Sequence, residues 1–343
     1  MSHFDNLHSL TSSITAVTSP FRQYLYELHE KYQPLTDGVV ANYIPELALA
    51  DPNWFGIAAV TTDGQIFEVG DSTTLFTSQA ISKAFVYGLA LEDHGRDYVS
   101  TKVGLEPTGE AFNAIMLDEK TNRPHNPMVN GGAIAITSLI KGQHSTDRLK
   151  RILDTFKRYT GHNHDISMPV FLSEKATGHR NRAMAFLLLN FGIVTDNLEE
   201  TLDLYFQQCS ILITARDLAI MAATLANGGV NPITQERAID EQYVQDVMSV
   251  MLTAGMYDYS GEWACRVGIP AKSGVGGGIT AVVPGQLGIG IFSPRLDDKG
   301  NSVRGIQVCH DLSKDFGLHM FNVAQSDRDL STWIKGNPVD VRV

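Results

Sequence analysis

The sequence predicts an α/β fold of the α+β kind: an antiparallel sheet flanked by helices, with an all-helical domain inserted into it. Three observations point there. Paired strand patterns lie towards both ends of the chain, helical periodicity fills the middle, and 343 residues suffice for one large domain or two of ordinary size. A hydrophobic content of 43% is enough for a sizeable core.

Each element has its own local signal. Ser19-Pro20 opens a helix, because proline suits the first helical position, and Leu25, Leu28 and Tyr32 then share a face. Phe55 to Val60 and Gln65 to Val69 flank Asp63-Gly64, a strong hairpin signal. In the middle, Asn197 is placed to cap a helix running through Tyr205. Thr214 and Asp217 form a capping-box pattern, Leu218, Met221, Ala222 and Leu225 follow at helical spacing, and Asn227-Gly228-Gly229 stops the helix. Ile279 to Val283 and Leu287 to Phe292 flank Pro284-Gly285 as a second strand pair, and a late helix runs from Ser302 to Phe316. Joining both hairpins into one sheet assigns residues 1–75 and 265–343 to a sheet-plus-helix domain and 76–264 to a mainly helical one. A site is then expected in the cleft between them.

Composition narrows the function classes. A formal net charge of −11 argues against nucleic acid or an anionic membrane as partner, since both recruit basic patches. Cys209, Cys265 and Cys309 are far apart and form no CxxC pair, which predicts reduced thiols in a cytoplasmic protein. Met1 to Pro20 lacks the basic and apolar regions of a signal peptide, and no apolar stretch is long enough to cross a membrane. His162-Asn163-His164-Asp165 matches neither the HExxH nor the EF-hand spacing and reads as a polar loop, so no metal site is expected.

The chemistry concentrates in Gln79-Ala80-Ile81-Ser82-Lys83. A Ser-x-x-Lys pair opening a helix sets a hydroxyl nucleophile one turn before an amine that can take its proton. Here Lys83 is present, but the position three before it is Ala80, whose methyl cannot form an acyl-enzyme. On a helical wheel from Gln79 to Leu91, Ser82 falls about 100° from Lys83, among Ile81, Phe85, Val86 and Leu89. Ser78 also maps to the apolar side and reads as a cap for the helix start. Neither serine is therefore expected to replace the missing hydroxyl. A second triplet, Lys272-Ser273-Gly274, precedes the strand from Ile279. Backbone N–H groups after such a triplet can hold an oxyanion, and Gly274, Gly276, Gly277 and Gly278 allow close backbone approach.

These motifs, taken with longer segments, resemble the glutaminases related in fold to serine β-lactamases and penicillin-binding transpeptidases. The segments are Tyr43-Ile44-Pro45, Gln79 to Lys83, Pro124-His125-Asn126-Pro127-Met128-Val129-Asn130, Met221 to Gly229, Gly255-Met256-Tyr257-Asp258 and Pro270 to Val275. The resemblance covers about Tyr43 to His310; the first 35 or so residues and the tail after Phe321 stay unassigned. It implies hydrolysis of L-glutamine to glutamate and ammonia without metal or organic cofactor, and a homotetramer or homodimer. The nucleophile position falls on Ala80, the base on Lys83, the assisting tyrosines on Tyr257 and Tyr43, and the oxyanion N–H groups on Ala80 and Val275. Substrate contacts fall on Asn130, Glu174, Asn181 and Tyr205 together with Tyr257 and Val275. A carboxylate suits the substrate α-ammonium, and the amides and phenol suit its α-carboxylate and side-chain amide. If their segment is one helix, Glu174 and Asn181 lie about two turns apart on one face.

Taken singly these residues have plain readings: Asn130 a turn residue, Glu174 a solvated charge, Tyr205 core, Asn181 exposed, Tyr257 a helix end. The expected state is a chain that binds glutamine and turns it over very slowly or not at all. The rivals are a non-catalytic glutamine-binding or regulatory protein and a penicillin-binding protein or β-lactamase.

Overall fold

The structure, a computed structural model, describes residues 19–195, 197–323 and 328–335. Met1 to Thr18 and the last eight residues, on which the leader and tail readings partly rest, lie outside the described residues.

In chain order the elements begin with α1 (Pro20–Tyr32), β1 (Val39–Val40), β2 (Gly56–Thr61), β3 (Ile66–Gly70) and β4 (Phe76–Thr77). A 3-10 turn over Gln79–Ile81 leads into α2 (Ser82–Ser100), followed by α3 (Asn130–Leu139), α4 (Ser145–Thr160), α5 (Met168–Thr177), α6 (His179–Asn190) and α7 (Leu198–Cys209). Then come β5 (Leu212–Ile213), α8 (Ala215–Ala226), α9 (Glu241–Ala254) and α10 (Ser260–Arg266). The chain closes with β6 (Ala271–Gly274), β7 (Gly278–Val283), β8 (Leu287–Phe292), β9 (Arg295–Leu296), α11 (Val303–Phe316) and α12 (Leu330–Lys335).

Both expected hairpins join one antiparallel sheet in the order β3-β2-β8-β7-β6, with β2 paired to β8 from Gly56↔Phe292 to Thr61↔Leu287. Alternation along the strands sorts the two faces. Ile57, Ala59, Leu287, Ile289 and Ile291 pack with residues of α1 and α11, including Phe21, Leu25, Val308 and Leu312. Ala58 and Val60 turn the other way, onto Ala219, Ile220 and Ala223 of α8. On that face β8 carries Gly288 and Gly290, where even a methyl would collide. A Cβ on Gly288 would sit 2.1 Å from the Ala223 nitrogen, and one on Gly290 2.0 Å from the Ala215 oxygen. The alternating glycines bring α8 flat onto the sheet centre. A second apolar core lies among the middle helices, built from Phe85, Leu89, Ile134, Phe156, Leu202, Phe206 and Leu218 among others.

Local signals hold at most predicted ends. Thr214 and Asp217 make both bonds of the capping box, Ser302 caps α11, and Pro20 occupies the start of α1. Two differ. Asn197 precedes α7, but in a left-handed conformation (φ 46°) with its side chain making no cap bond. Ser78 does not cap the following helix either. Its Oγ donates to the Gln208 carbonyl at 3.1 Å, in the last turn of α7.

Candidate active site

The segment entering α2 is not a uniform α-helix. Gln79 adopts φ 48°, a conformation that non-glycine side chains rarely take, and Gln79–Ile81 form a 3-10 turn before α2 begins. In a 3-10 turn residues three apart eclipse, so the turn holds Ala80 and Lys83 on one side. Both line one cavity of about 280 Å³. Ser82, by contrast, is fully buried and donates to the Gln79 carbonyl at 2.8 Å. Neither Ser78 nor Ser82 lines the cavity.

Lys83 is buried, with no carboxylate among its hydrogen-bond partners. Its Nζ donates to the Asn130 Oδ1 at 2.7 Å and to the Met128 carbonyl at 3.1 Å. Burial disfavours the ammonium and pulls its pKa down to about 8. A lysine so poised is neutral about a tenth of the time at pH 7, far more than an ordinary lysine, and can then accept a proton. Lys272, on β6, is a second buried amine. Its Nζ donates to the carbonyls of Ser273 at 2.6 Å and Gly255 at 3.1 Å and sits 4.4 Å from the centre of the Tyr257 ring. Burial first, and then the nearby charge of Lys83, hold its pKa well below the usual lysine value.

Tyr257 is the other cavity residue with a strained backbone, at φ 56°. Its hydroxyl is buried and has no hydrogen bond of good geometry, with the Val275 N–H lying near it. Burial, and after it the neighbouring Cys209, push its pKa far above the usual tyrosine value, with the Val275 N–H opposing them. Its ring lies against that of Phe112, centroids 4.5 Å apart and planes tilted by 38°. Ala80 contributes an N–H from the first turn of a 3-10 helix, where N–H groups lack intrahelical partners, and Val275 follows the β6 strand end directly across the cavity lining.

The opposite wall is polar and cross-braced. Tyr43 is half exposed as a residue, at 52%, yet its hydroxyl reaches inward to donate to Glu174 Oε1 at 2.7 Å, and lies 3.0 Å from Gln79 Oε1. Glu174 is buried, and desolvation raises its pKa against the hydrogen bonds from Tyr43 and Gln79. Asn130, the first residue of α3, donates from Nδ2 to Asn181 Oδ1 at 2.9 Å. Tyr205 is buried on α7 and lines the same space.

The structure thus gathers Tyr43, Ala80, Lys83, Asn130, Glu174, Asn181, Tyr205, Tyr257 and Val275 around a single cavity. The expectation that one helix presents both Glu174 and Asn181 is corrected. Gly178 (ψ 40°) breaks the segment into α5 and α6, and a Cβ there would meet the Phe206 ring at 2.5 Å. The plain reading of Glu174 as a solvated charge fails, since it is buried. Sequence reasoning passed over Gln79, Phe112 and Cys209, which also line the cavity. Cys209 had a usable signal, being four residues after Tyr205 on the same helix. Phe112 had none, because the stretch that carries it holds no helix or strand between α2 and α3. Among the described residues, one group of potential metal ligands stands out, His162, His164 and Asp217, and none of the three lines the cavity.

Comparison with known proteins places this architecture. The family model described as Glutaminase matches residues 38–321. A glutaminase of Microcystis aeruginosa is 73% identical over 93% of this chain and 94% of its own length. One of Trichormus variabilis is 60% identical over 93% of this chain and 95% of its own length. Among solved structures, a probable glutaminase, ybaS, superposes with a TM-score of 0.86 at 42% identity, covering 88% of this chain and 98% of that one. Mglu in its glutamate form gives a TM-score of 0.86 at 42% identity, covering 90% of this chain and 71% of that one.

Proposed function

This chain belongs to the glutaminase family, with its β-lactamase-like fold, and from that premise we propose that its cavity is built to bind L-glutamine and to hydrolyse the side-chain amide through an acyl-enzyme. Ala80 holds the nucleophile position, so the chain as it stands binds glutamine and turns it over barely or not at all. Lys83, kept partly neutral by burial, takes the nucleophile's proton when a hydroxyl is present. Tyr257 passes a proton to the leaving ammonia. The N–H groups of Ala80 and Val275 receive the oxyanion. Glu174 takes the α-ammonium, with Tyr43 steadying its carboxylate, and Asn130, Asn181 and Tyr205 take the α-carboxylate and the amide oxygen. We assign 1–75 and 265–343 to a sheet domain and 76–264 to a helical domain, with this cavity at their junction. Three free cysteines suit a reducing, cytoplasmic setting, and the working form is a homotetramer or homodimer. Among the described residues no helix is long and apolar enough to cross a membrane.

The observation that carries this reading is the joint convergence of a buried, cation-averse Lys83 one turn after Ala80 with a buried carboxylate and paired amides across one small cavity. Ala80→Ser is expected to release ammonia from glutamine; a folded but inert variant would sink the catalytic assignment. The specific observation behind a second reading, a natural glutamine-binding protein, is Ala80 itself. That reading predicts glutamine binding by the chain as it stands and no turnover after Ala80→Ser.

A further inference from the structure

The loop after α4 does more than the polar turn its sequence suggests. It carries His162 and His164 onto Asp217, the third residue of α8, so that one ligand atom from each residue lies within 4.8 Å of the others. The two imidazole rings lean together with centroids 4.4 Å apart. The simplest account is a helix cap with a hydrogen-bonded histidine: His162 Nε2 lies 2.6 Å from Asp217 Oδ1. The cap, however, uses the other oxygen. Asp217 Oδ2 accepts from the Thr214 backbone N–H at 2.9 Å and from its hydroxyl at 2.8 Å, which leaves Oδ1 to the histidines. Nor does a cap require a second imidazole.

The tautomers are decisive. A carbonyl oxygen only accepts, so each Nδ1 that meets one carries the proton. His162 Nδ1 lies 2.9 Å from the Asn163 carbonyl, and His164 Nδ1 lies 2.9 Å from the Leu212 carbonyl. Both rings are therefore held with Nδ1–H on a backbone oxygen and Nε2 turned to the shared space, the outer-shell arrangement of metal-bound histidines; on His162 that Nε2 carries a second proton, donated to Asp217 Oδ1, which a metal would displace. His164 Nε2 meets only the Thr160 hydroxyl, at 2.7 Å, and that hydroxyl has a second acceptor in the Phe156 carbonyl at 2.9 Å. It can turn away without loss. His162 is half exposed and gives an entry path, while the Asp217 carboxylate is almost fully buried and supplies the charge. The positive end of α8 opposes a cation here, and the buried carboxylate offsets it.

We propose that His162, His164 and Asp217 form a binding site for one divalent transition-metal ion of the zinc type, apart from the glutamine cavity. Two imidazole nitrogens and one carboxylate oxygen suit Zn2+ and disfavour Mg2+ and Ca2+, which prefer all-oxygen sets. Coordination replaces the His162 Nε2 proton, which leaves to solvent, while the Nδ1–H bond to Asn163 remains. The ion staples the 161–165 loop to the start of α8. Through His164 and Leu212 it also steadies β5, whose partner Thr77 lies two residues before Gln79. Its effect is stabilising by mass action rather than catalytic.

The test is calorimetric titration of the chelator-treated, full-length chain with ZnCl2, alongside thermal melts with and without the ion. The expected result is one Zn2+ per chain, a raised melting temperature, and no response to MgCl2. His162→Ala removes a half-exposed side chain and its bond to Asp217 Oδ1, and should lower the metal-free melt somewhat while abolishing the further rise on adding ZnCl2. It should weaken Zn2+ binding by more than the roughly 10–100-fold that loss of an outer-shell partner costs. Asp217→Asn should do the same. No Zn2+ binding by the wild type overturns the proposal. So does binding of equal strength by both variants, which would move the ion to others of the 11 histidines.

Discussion

The two sides of the cavity are built on different principles. The Glu174 side is spread over several elements and cross-linked: Tyr43 from the N-terminal segment braces Glu174 on α5, and Asn130 of α3 braces Asn181 of α6. The Ala80 side depends on one turn. It keeps a strained Gln79, a lysine held near pKa 8, and a strained, buried tyrosine, yet it presents the Ala80 methyl where the proposed chemistry needs an oxygen. A binding surface built from many partial contacts survives the loss of any one atom, whereas bond-making hinges on a single atom. On the proposed function, that separation is how a chain would retain its binding wall beside an unreactive corner.

The comparison can be broken at its reactive side first. Ala80→Ser should raise glutamine turnover by at least about 10³-fold, measured as ammonia release, while the glutamine Kd by calorimetry moves little. A comparable change in both would show that the two sides are not separable. In that background, Lys83→Met should return turnover to within about tenfold of the parent, because the hydroxyl loses its proton acceptor; undiminished turnover would remove Lys83 from the mechanism.

The binding side should respond in affinity. Glu174→Gln leaves the cavity shape but removes the charge proposed to meet the substrate ammonium, and should weaken glutamine binding by about 30-fold or more. Tyr43→Phe should have the smallest of these mutational effects, about tenfold or less in Kd, because it removes one charge-assisted bond to Glu174 and leaves the carboxylate in place. If Tyr43→Phe costs more than Glu174→Gln, the order of importance on this wall is reversed.

The pH dependence sharpens the contrast. With Ala80→Ser, kcat/KM should climb by up to about tenfold per unit below pH 8 and level off above it, as Lys83 becomes neutral. The same shift affects folding. The folded pKa of Lys83 lies below its unfolded value of 10.5, so the unfolded chain binds more protons between about 8 and 10.5. The penalty of burying Lys83 is thus full below about pH 8 and relieved as pH rises through that window. A flat stability profile from pH 8 to 10 in wild type relative to Lys83→Met would contradict this.

How much was legible beforehand follows from the range of each interaction. Hairpins with Asp63-Gly64 and Pro284-Gly285 turns, the capping box at Thr214 and Asp217, and the proline start of α1 are local, and they appear where the sequence places them. The break at Gly178 was not legible, because its cause is the Phe206 ring, 28 positions away by the numbering of the two residues. Nor was the hydroxyl of Ser78, which turns to the end of α7.

By itself, then, the sequence determined the two hairpins, their pairing into one antiparallel sheet and the capped helices around it, because periodicity and turn chemistry are written along the chain, while the resemblance to glutaminases supplied the residues of the site proposed above. Tertiary structure alone decided three things. It brought the pKa of Lys83 down to about 8, because burial rather than identity sets it. It laid α8 flat on the sheet, because Gly288 and Gly290 matter only when a helix lies above them. And it turned two loop histidines and a capping aspartate into one cluster, because 55 positions separate His162 from Asp217 in the chain while 2.6 Å separate their side chains in space.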